Sequence, residues 1–147
     1  MDKQQMTIWL ACAVDSEGTI GLAKSKRKEH SVYAPRVQIT NKNKDYIDFA
    51  KHCMEQLGCK VNEVKLKIEK NDNWSNVWNI SVNRQSEIYL LLDQLYPQLI
   101  IKRKQAKVVS EYCQMRLKYQ FKRKNYTYSG NEEQYYLELK ALNMRGL

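Results

Sequence analysis

Little in this chain interrupts it. Two prolines and five glycines occur in 147 residues, so few positions force the backbone out of a helix or strand. No proline- or glycine-rich stretch marks a linker, no internal repeat is visible, and a single domain over residues 1–147 is expected. Histidine is as scarce as proline: His30 and His52 are the only two. With cysteines at 12, 53, 59 and 113, at no zinc-ligand spacing, a structural zinc is not expected. An even cysteine count suits disulfides in a secreted protein, but the opening MDKQQM has no signal-peptide character. The expectation is an intracellular protein, of bacterial, phage or organellar origin, whose cysteines are small, mostly buried fillers. No apolar run approaches the roughly 20 residues a membrane helix needs.

Acidic charge is also in short supply. Lys and Arg number 25 against 16 Asp and Glu, a formal net charge of +9. Such a field concentrates polyanions, so nucleic acid is the first partner to consider, with solubility alone as the plainer explanation.

What is there reads as αββαββα with further helices appended, an α+β chain. Asp2 caps a helix from Lys3, with Gln5 reaching back, that runs to about Asp15 and stops at Gly18. The stretches `TIGLAKSK` and `YAPRVQIT` alternate as strands, joined by a basic connection from Lys26 to His30, and Pro35 puts the second at an edge or at its own start. Asn43 caps a helix ended by Gly58, with Tyr46, Ile47, Ala50, Met54 and Leu57 on its apolar face. Strands over 60–69 and 77–82 follow, then helices over 86–95, 102–119 and 132–142. A basic, tyrosine-rich stretch over 118–130 precedes the last helix.

Four strands make one antiparallel sheet with helices on one face and the other face open. Side-chain alternation sorts the residues. Ile20 and Leu22, Val37 and Ile39, Val64, Leu66 and Ile68, and Trp78, Ile80 and Val82 are expected to point inward. Ser25, Arg27, Arg36, Gln38, Thr40, Lys65, Lys67, Asn79, Ser81 and Asn83 then point outward. These are side chains that hydrogen-bond base edges and phosphates.

The first helix raises a question of its own. From Ile8 to Val14 it is apolar on every side, and it ends in Asp15-Ser16-Glu17-Gly18. Acids at a helix C-terminus oppose its dipole at about 0.3–1 kcal/mol each, and two close together repel. A divalent cation would offset both costs; taken alone, D-x-E-G is better read as a common surface turn. The small residues Ala11-Cys12-Ala13 let another helix approach closely, and a second copy of this helix would bring two such ends together beneath a basic sheet.

`LACAVDSEG`, residues 10–18, resembles the motif of the LAGLIDADG homing endonucleases. Leu10, Ala11, Asp15 and Gly18 match directly, Val14, Ser16 and Glu17 are close replacements, and Cys12 and Ala13 depart from the pattern. `VQITNKNK` (37–44), `LDQLYPQLIIKRKQAKVV` (92–109) and `YYLELKALN` (135–143) are similar to the single-motif, homodimeric branch. The resemblance implies a DNA-binding saddle formed by the four-stranded antiparallel sheet. It further implies a homodimer that cuts both strands of a long pseudo-palindromic DNA site with Mg²⁺ or Mn²⁺, leaving 3′ overhangs. By the same resemblance Glu17, the Ser16 carbonyl and Asp15 hold metal, Asp15 standing at the motif's first acid. Asn41, in place of the usual Gln, orders water, and Lys102 activates water and stabilises charge. The dimer interface would centre on Ile8, Trp9, Ala11, Cys12 and Val14. An intron-encoded RNA maturase and a non-cleaving DNA-binding relative are the alternatives on this scaffold. Retention of Glu17 and Lys102 weighs against the first, and 147 residues leave little room for the added helix-turn-helix usual in the second.

Overall fold

In a computed structural model of the chain, residues 1–28, 30–71, 73–122 and 131–145 are described. The first helix, α1 (Lys3–Glu17), begins with a complete capping box: Gln5 N–H donates to the Asp2 carboxylate at 2.8 Å, and Asp2 N–H donates to Gln5 Oε1 at 2.9 Å. This satisfies two donors that the first turn otherwise leaves orphaned. At its other end α1 runs two residues past Asp15 and passes without a loop into β1 (Gly18–Arg27). Gly18 has extended backbone, so the glycine is not needed for its dihedrals. It is needed for closeness: a Cβ there would lie 2.8 Å from Val14 Cα and 3.2 Å from the Gln38 carbonyl oxygen.

The chain continues through β2 (His30–Asn41), α2 (Lys44–Gln56), β3 (Asn62–Lys70), β4 (Asn73–Val82) and α3 (Gln85–Leu95). A 3-10 turn (Tyr96–Gln98), α4 (Arg103–Lys122) and α5 (Glu132–Arg145) follow. This is the expected αββαββα order with two helices appended. Asn43 caps α2 by accepting from Tyr46 N–H at 3.0 Å, and Gly58 follows in the left-handed region at φ +97°, a conformation that suits glycine. Of the basic, tyrosine-rich stretch, residues 118–122 belong to α4, and 123–130 lie outside the described residues.

The four strands form one antiparallel sheet in the order β1-β2-β4-β3. Pro35 pairs with Leu22 of β1, but the β2–β4 ladder begins only at Val37↔Val82. On that side Pro35 is therefore at an edge, where a missing N–H costs no ladder bond. Helices cover one face. Ile20, Val37, Ile39, Ile80 and Val82 are buried there against Leu10 and Val14 of α1, Ile47 and Met54 of α2, Leu91 and Leu95 of α3, and Val109 and Tyr112 of α4. Burying each large aliphatic fully contributes about 1.5–3 kcal/mol.

Two expectations are corrected. The first is the phase of β3. Val64 lies opposite Asn79, and Lys65 opposite Trp78; Lys65 Nζ lies 6.0 Å from the Trp78 ring, and Glu63 pairs with Lys44 of α2 at 3.0 Å. Glu63, Lys65, Lys67 and Glu69 therefore occupy the helix side of the sheet, and Val64, Leu66 and Ile68 the open side, at 52%, 43% and 47% exposure. The reason is coverage. β3 makes its substantial contacts with β4 alone, so no helix rewards burial of its apolar row, and the register with β4 sets the phase. The second is the burial of α1. Leu10, Ala11, Ala13 and Val14 are buried within this chain, and a narrow stripe through Gln5, Ile8, Cys12 and Ser16 stays exposed. The helix needs no second copy to cover most of its surface.

The cysteines are all free. Cys53, Cys59 and Cys113 are buried and Cys12 is exposed; burial pushes the Cys59 and Cys113 thiols up to about 11 and about 12. At the far side, α5 docks through adjacent acids. Glu132 and Arg116 form a buried pair at 3.2 Å, and Glu133 accepts from Lys24 of β1 at 2.8 Å and from the Tyr33 hydroxyl of β2.

Candidate nucleic-acid interface and catalytic end

Two structures meet at the end of α1. The turn that enters α4 presents three successive backbone N–H groups, and the Asp15 carboxylate accepts all three: Ile100 at 2.7 Å, Ile101 at 3.1 Å and Lys102 at 3.0 Å. Such a run of N–H groups is an anion-binding concavity, reinforced by the positive end of α4. Lys102 then folds back, and its ammonium donates to the Asp15 carbonyl at 2.6 Å. The cost of an acid at the α1 terminus is thus offset for Asp15 by this chain itself. Both its oxygens are occupied, so Asp15 is a clamp that positions Lys102 rather than a free metal ligand.

Glu17 differs in each respect. Its side chain is exposed and, among the described residues, makes no hydrogen bond or ion pair. Beside it, Ser16 turns its hydroxyl onto the Cys12 carbonyl at 2.9 Å. The Ser16 carbonyl lies in the last helical turn, where no following helical N–H is available to it. Asn41 ends β2 two residues beyond Ile39, which pairs with Gly18, and so stands level with this turn. Its Oδ1 accepts from Asn43 N–H at 2.8 Å, leaving the NH₂ as the group it can offer. Tyr46 of α2 also belongs here: burial pushes its hydroxyl pKa up, and the charge of Glu17 pushes it further.

The fit to a divalent cation follows from these donors. Among the described residues no three His, Cys, Asp or Glu side chains converge. One free carboxylate and one carbonyl are what Mg²⁺ accepts when waters and phosphate oxygens complete its shell. Glu17 and Ser16 fit that role and Asp15 does not.

The open face carries Ser25, Arg27, Arg36, Gln38, Thr40, Asn79 and Ser81, as the pairing of Arg36 with Gly21, Gln38 with Ser81 and Thr40 with Asn79 requires. Asn83 lies just past the end of β4 and donates to Ser81 Oγ at 3.2 Å. Asn79 donates to Thr40 Oγ1 at 2.7 Å. Arg36 Nε is buried with no hydrogen-bond partner among the described residues. Lys65 and Lys67 are exposed, on the other side of the edge strand. Of the five positions expected between two copies, Ala11 and Val14 have no exposed surface, Trp9 is half-buried against Tyr46 and Phe49, and Ile8 and Cys12 are exposed. Ile100 and Ile101, tied to α1 through Asp15, are exposed at 84% and 69%. Sequence reasoning missed both isoleucines and Tyr46; the run `LIIK` held a signal only in being apolar next to a basic helix start.

No protein-family model and no curated protein matches this chain. Solved structures do. The homing endonuclease I-CvuI in complex with its target is 20% identical, over 76% of this chain and 68% of that one, with a TM-score of 0.58. The archaeal intron-encoded homing endonuclease I-Vdi141I, complexed with DNA, is 15% identical over 97% of this chain and 99% of its own, with a TM-score of 0.58. The LAGLIDADG homing endonuclease I-GzeII in complex with a DNA target is 14% identical over 92% of this chain and 43% of its own, with a TM-score of 0.63. The fold is that of the LAGLIDADG homing endonucleases. α1 and Gly18 are the places where the sequence resembles that family's motif, and Gly18 is held by backbone proximity.

Proposed function

We propose that this protein is a site-specific double-strand DNA endonuclease that acts as a homodimer on a long pseudo-palindromic site by divalent-metal-dependent hydrolysis. One observation carries the reading: an unpartnered Glu17 stands beside an ammonium fixed at 2.6 Å on the same helix end. That end joins an open sheet face rich in hydrogen-bonding side chains. The structural neighbours, which are DNA-bound homing endonucleases, support it.

A cation held by Glu17 and the Ser16 carbonyl would lower the pKa of water and neutralise phosphate charge. The chain's own residues do the rest. Lys102 presents a pre-positioned positive charge to a phosphate oxygen as negative charge grows on it. Asn41 offers its NH₂ to a water or phosphate oxygen. Asp15 keeps Lys102 from drifting. Arg36 supplies a donor to the nucleic acid. One chain carries one such turn, so cutting two strands calls for two copies, and the exposed Ile8, Cys12, Ile100 and Ile101 are the apolar groups a second copy would cover.

The test is nicking of a selected duplex with and without Mg²⁺, beside sedimentation of the free protein. Metal-dependent cleavage by a dimer is expected, together with a steep salt dependence: about eight phosphate contacts give a log–log slope near −7. A stable monomer at micromolar concentration, or no cutting of any bound duplex, would overturn the reading.

A further inference from the structure

We propose that Val64, Leu66 and Ile68 read thymine C5-methyl groups in the major groove, so that each half-site carries thymines at alternate positions near the cut. The inference deepens the DNA-cleaving function above and rests on it.

The three side chains form one row on the open face of β3, each about half exposed. Val77 of β4, opposite Leu66, is buried at the foot of the row. They share this face with Asn79, Ser81, Thr40 and Gln38, so whatever lies against the hydrogen-bonding row also lies against the aliphatic one. In the major groove the only apolar feature of a base pair is the thymine methyl.

Charge selects DNA over a protein as the occupant. Lys65 and Lys67 alternate with Glu63 and Glu69 on the other side of this strand, so the selecting charge is that of the whole chain, net +9. A second copy laid on this row would bring like charges together, and lysines on an edge strand oppose strand pairing. The floor of a groove suits the arrangement, since the aliphatic row and the hydrogen-bonding row both face the bases.

Spacing sets the pattern. Residues two apart on a strand lie about 6.8 Å apart, and base pairs rise about 3.4 Å each, so the row meets roughly every second pair. Placement sets the position in the site. Trp78 pairs with both Asn41 and Lys65, which puts the row level with the catalytic end. The β1–β2 hairpin runs the opposite way from Gly18 and reaches pairs farther out.

The experiment selects duplexes from a randomised pool with the full chain, then replaces single thymines by deoxyuridine, which removes the methyl alone. Alternating thymines near the cut are expected, with binding weakened about four-fold for each methyl lost, the weight of one buried methylene. Leu66→Ser, at an exposed edge position, should erase the penalty at the central thymine and leave the salt slope unchanged. Val64→Thr, of nearly the same shape, should soften only its own position. Selected sites without such thymines, or deoxyuridine bound as well as thymidine, overturn the inference while leaving the endonuclease reading intact. Selection unchanged in Leu66→Ser with self-association lost overturns it in favour of a protein contact. A chain that enriches no duplex overturns both.

Discussion

Asp15 and Glu17 stand two residues apart in the last turn of one helix, yet one carboxylate is surrounded and the other is bare. Asp15 is met by three N–H groups from a segment 85 to 87 residues away; Glu17 faces solvent. An acid that the fold itself neutralises explains stability, and an acid left bare among the described residues is the one the proposed chemistry uses. In α5 both adjacent acids are partnered, Glu132 by buried Arg116 and Glu133 at the surface by Lys24.

The widest separation should come from Glu17→Gln. Cleavage should fall by more than the about 100-fold that loss of an outer-shell partner costs a metal site, with DNA binding kept. Stability should stay within about 0.5 kcal/mol, as for surface substitutions generally. Single-turnover nicking beside chemical denaturation measures both, and wild-type cutting by this variant would remove the distinction. Asp15→Ala should do the reverse first. Leaving donors at the α4 entrance unpaired costs about 1–3 kcal/mol each, so a total near 2–4 kcal/mol is expected, less than the sum because water reaches part of the site. Cleavage should fall as well once Lys102 is loosened. Asp15→Asn, which keeps an accepting oxygen, should lie between.

Gly18→Ala comes next. Its Cβ would press on Val14 backbone at 2.8 Å, and overpacking of this kind costs about 1–3 kcal/mol. The shift also tilts Glu17, so activity should drop further than stability predicts.

The smallest effect is in the acid limb. Hydrogen bonds from Lys24 and Tyr33 hold Glu133 below its usual pKa. Its contribution is therefore present above the unfolded value of about 4.3 and lost as pH falls through the folded one. Thermal melts from about pH 5 to 3 should show a steeper decline in wild type than in Glu133→Gln. At the alkaline end, burial and then Glu133 raise Tyr33 to about 12. The stability it gives is complete below the unfolded value of about 10 and is lost as pH rises through the folded value of about 12.

Much of this was legible in the residues. The capping box at Asp2, the cap at Asn43, the αββαββα order of elements along the chain and the inward set Ile20, Val37, Ile39, Ile80 and Val82 all follow from local chemistry and period. β3 was not. Alternation in `VKLKI` defines two faces but not which one a helix covers, and here none does. Asp15 misled for a different reason: its partners are backbone groups, which carry no side-chain signature, and they come from the far end of the chain. Lys102 was found by resemblance, but its contact with the Asp15 carbonyl became visible only in three dimensions.

The turn from Ile100 to Lys102 gives the clamp nothing but its amide hydrogens, while the isoleucine side chains point away into solvent. Under the proposed dimer, substitution at 100 or 101 would therefore alter what a second copy meets without moving the lysine. Proline is the exception, since it alone lacks the hydrogen the clamp uses. If the proposed function holds, pairing specificity and cutting can drift apart in such a molecule, one residue at a time.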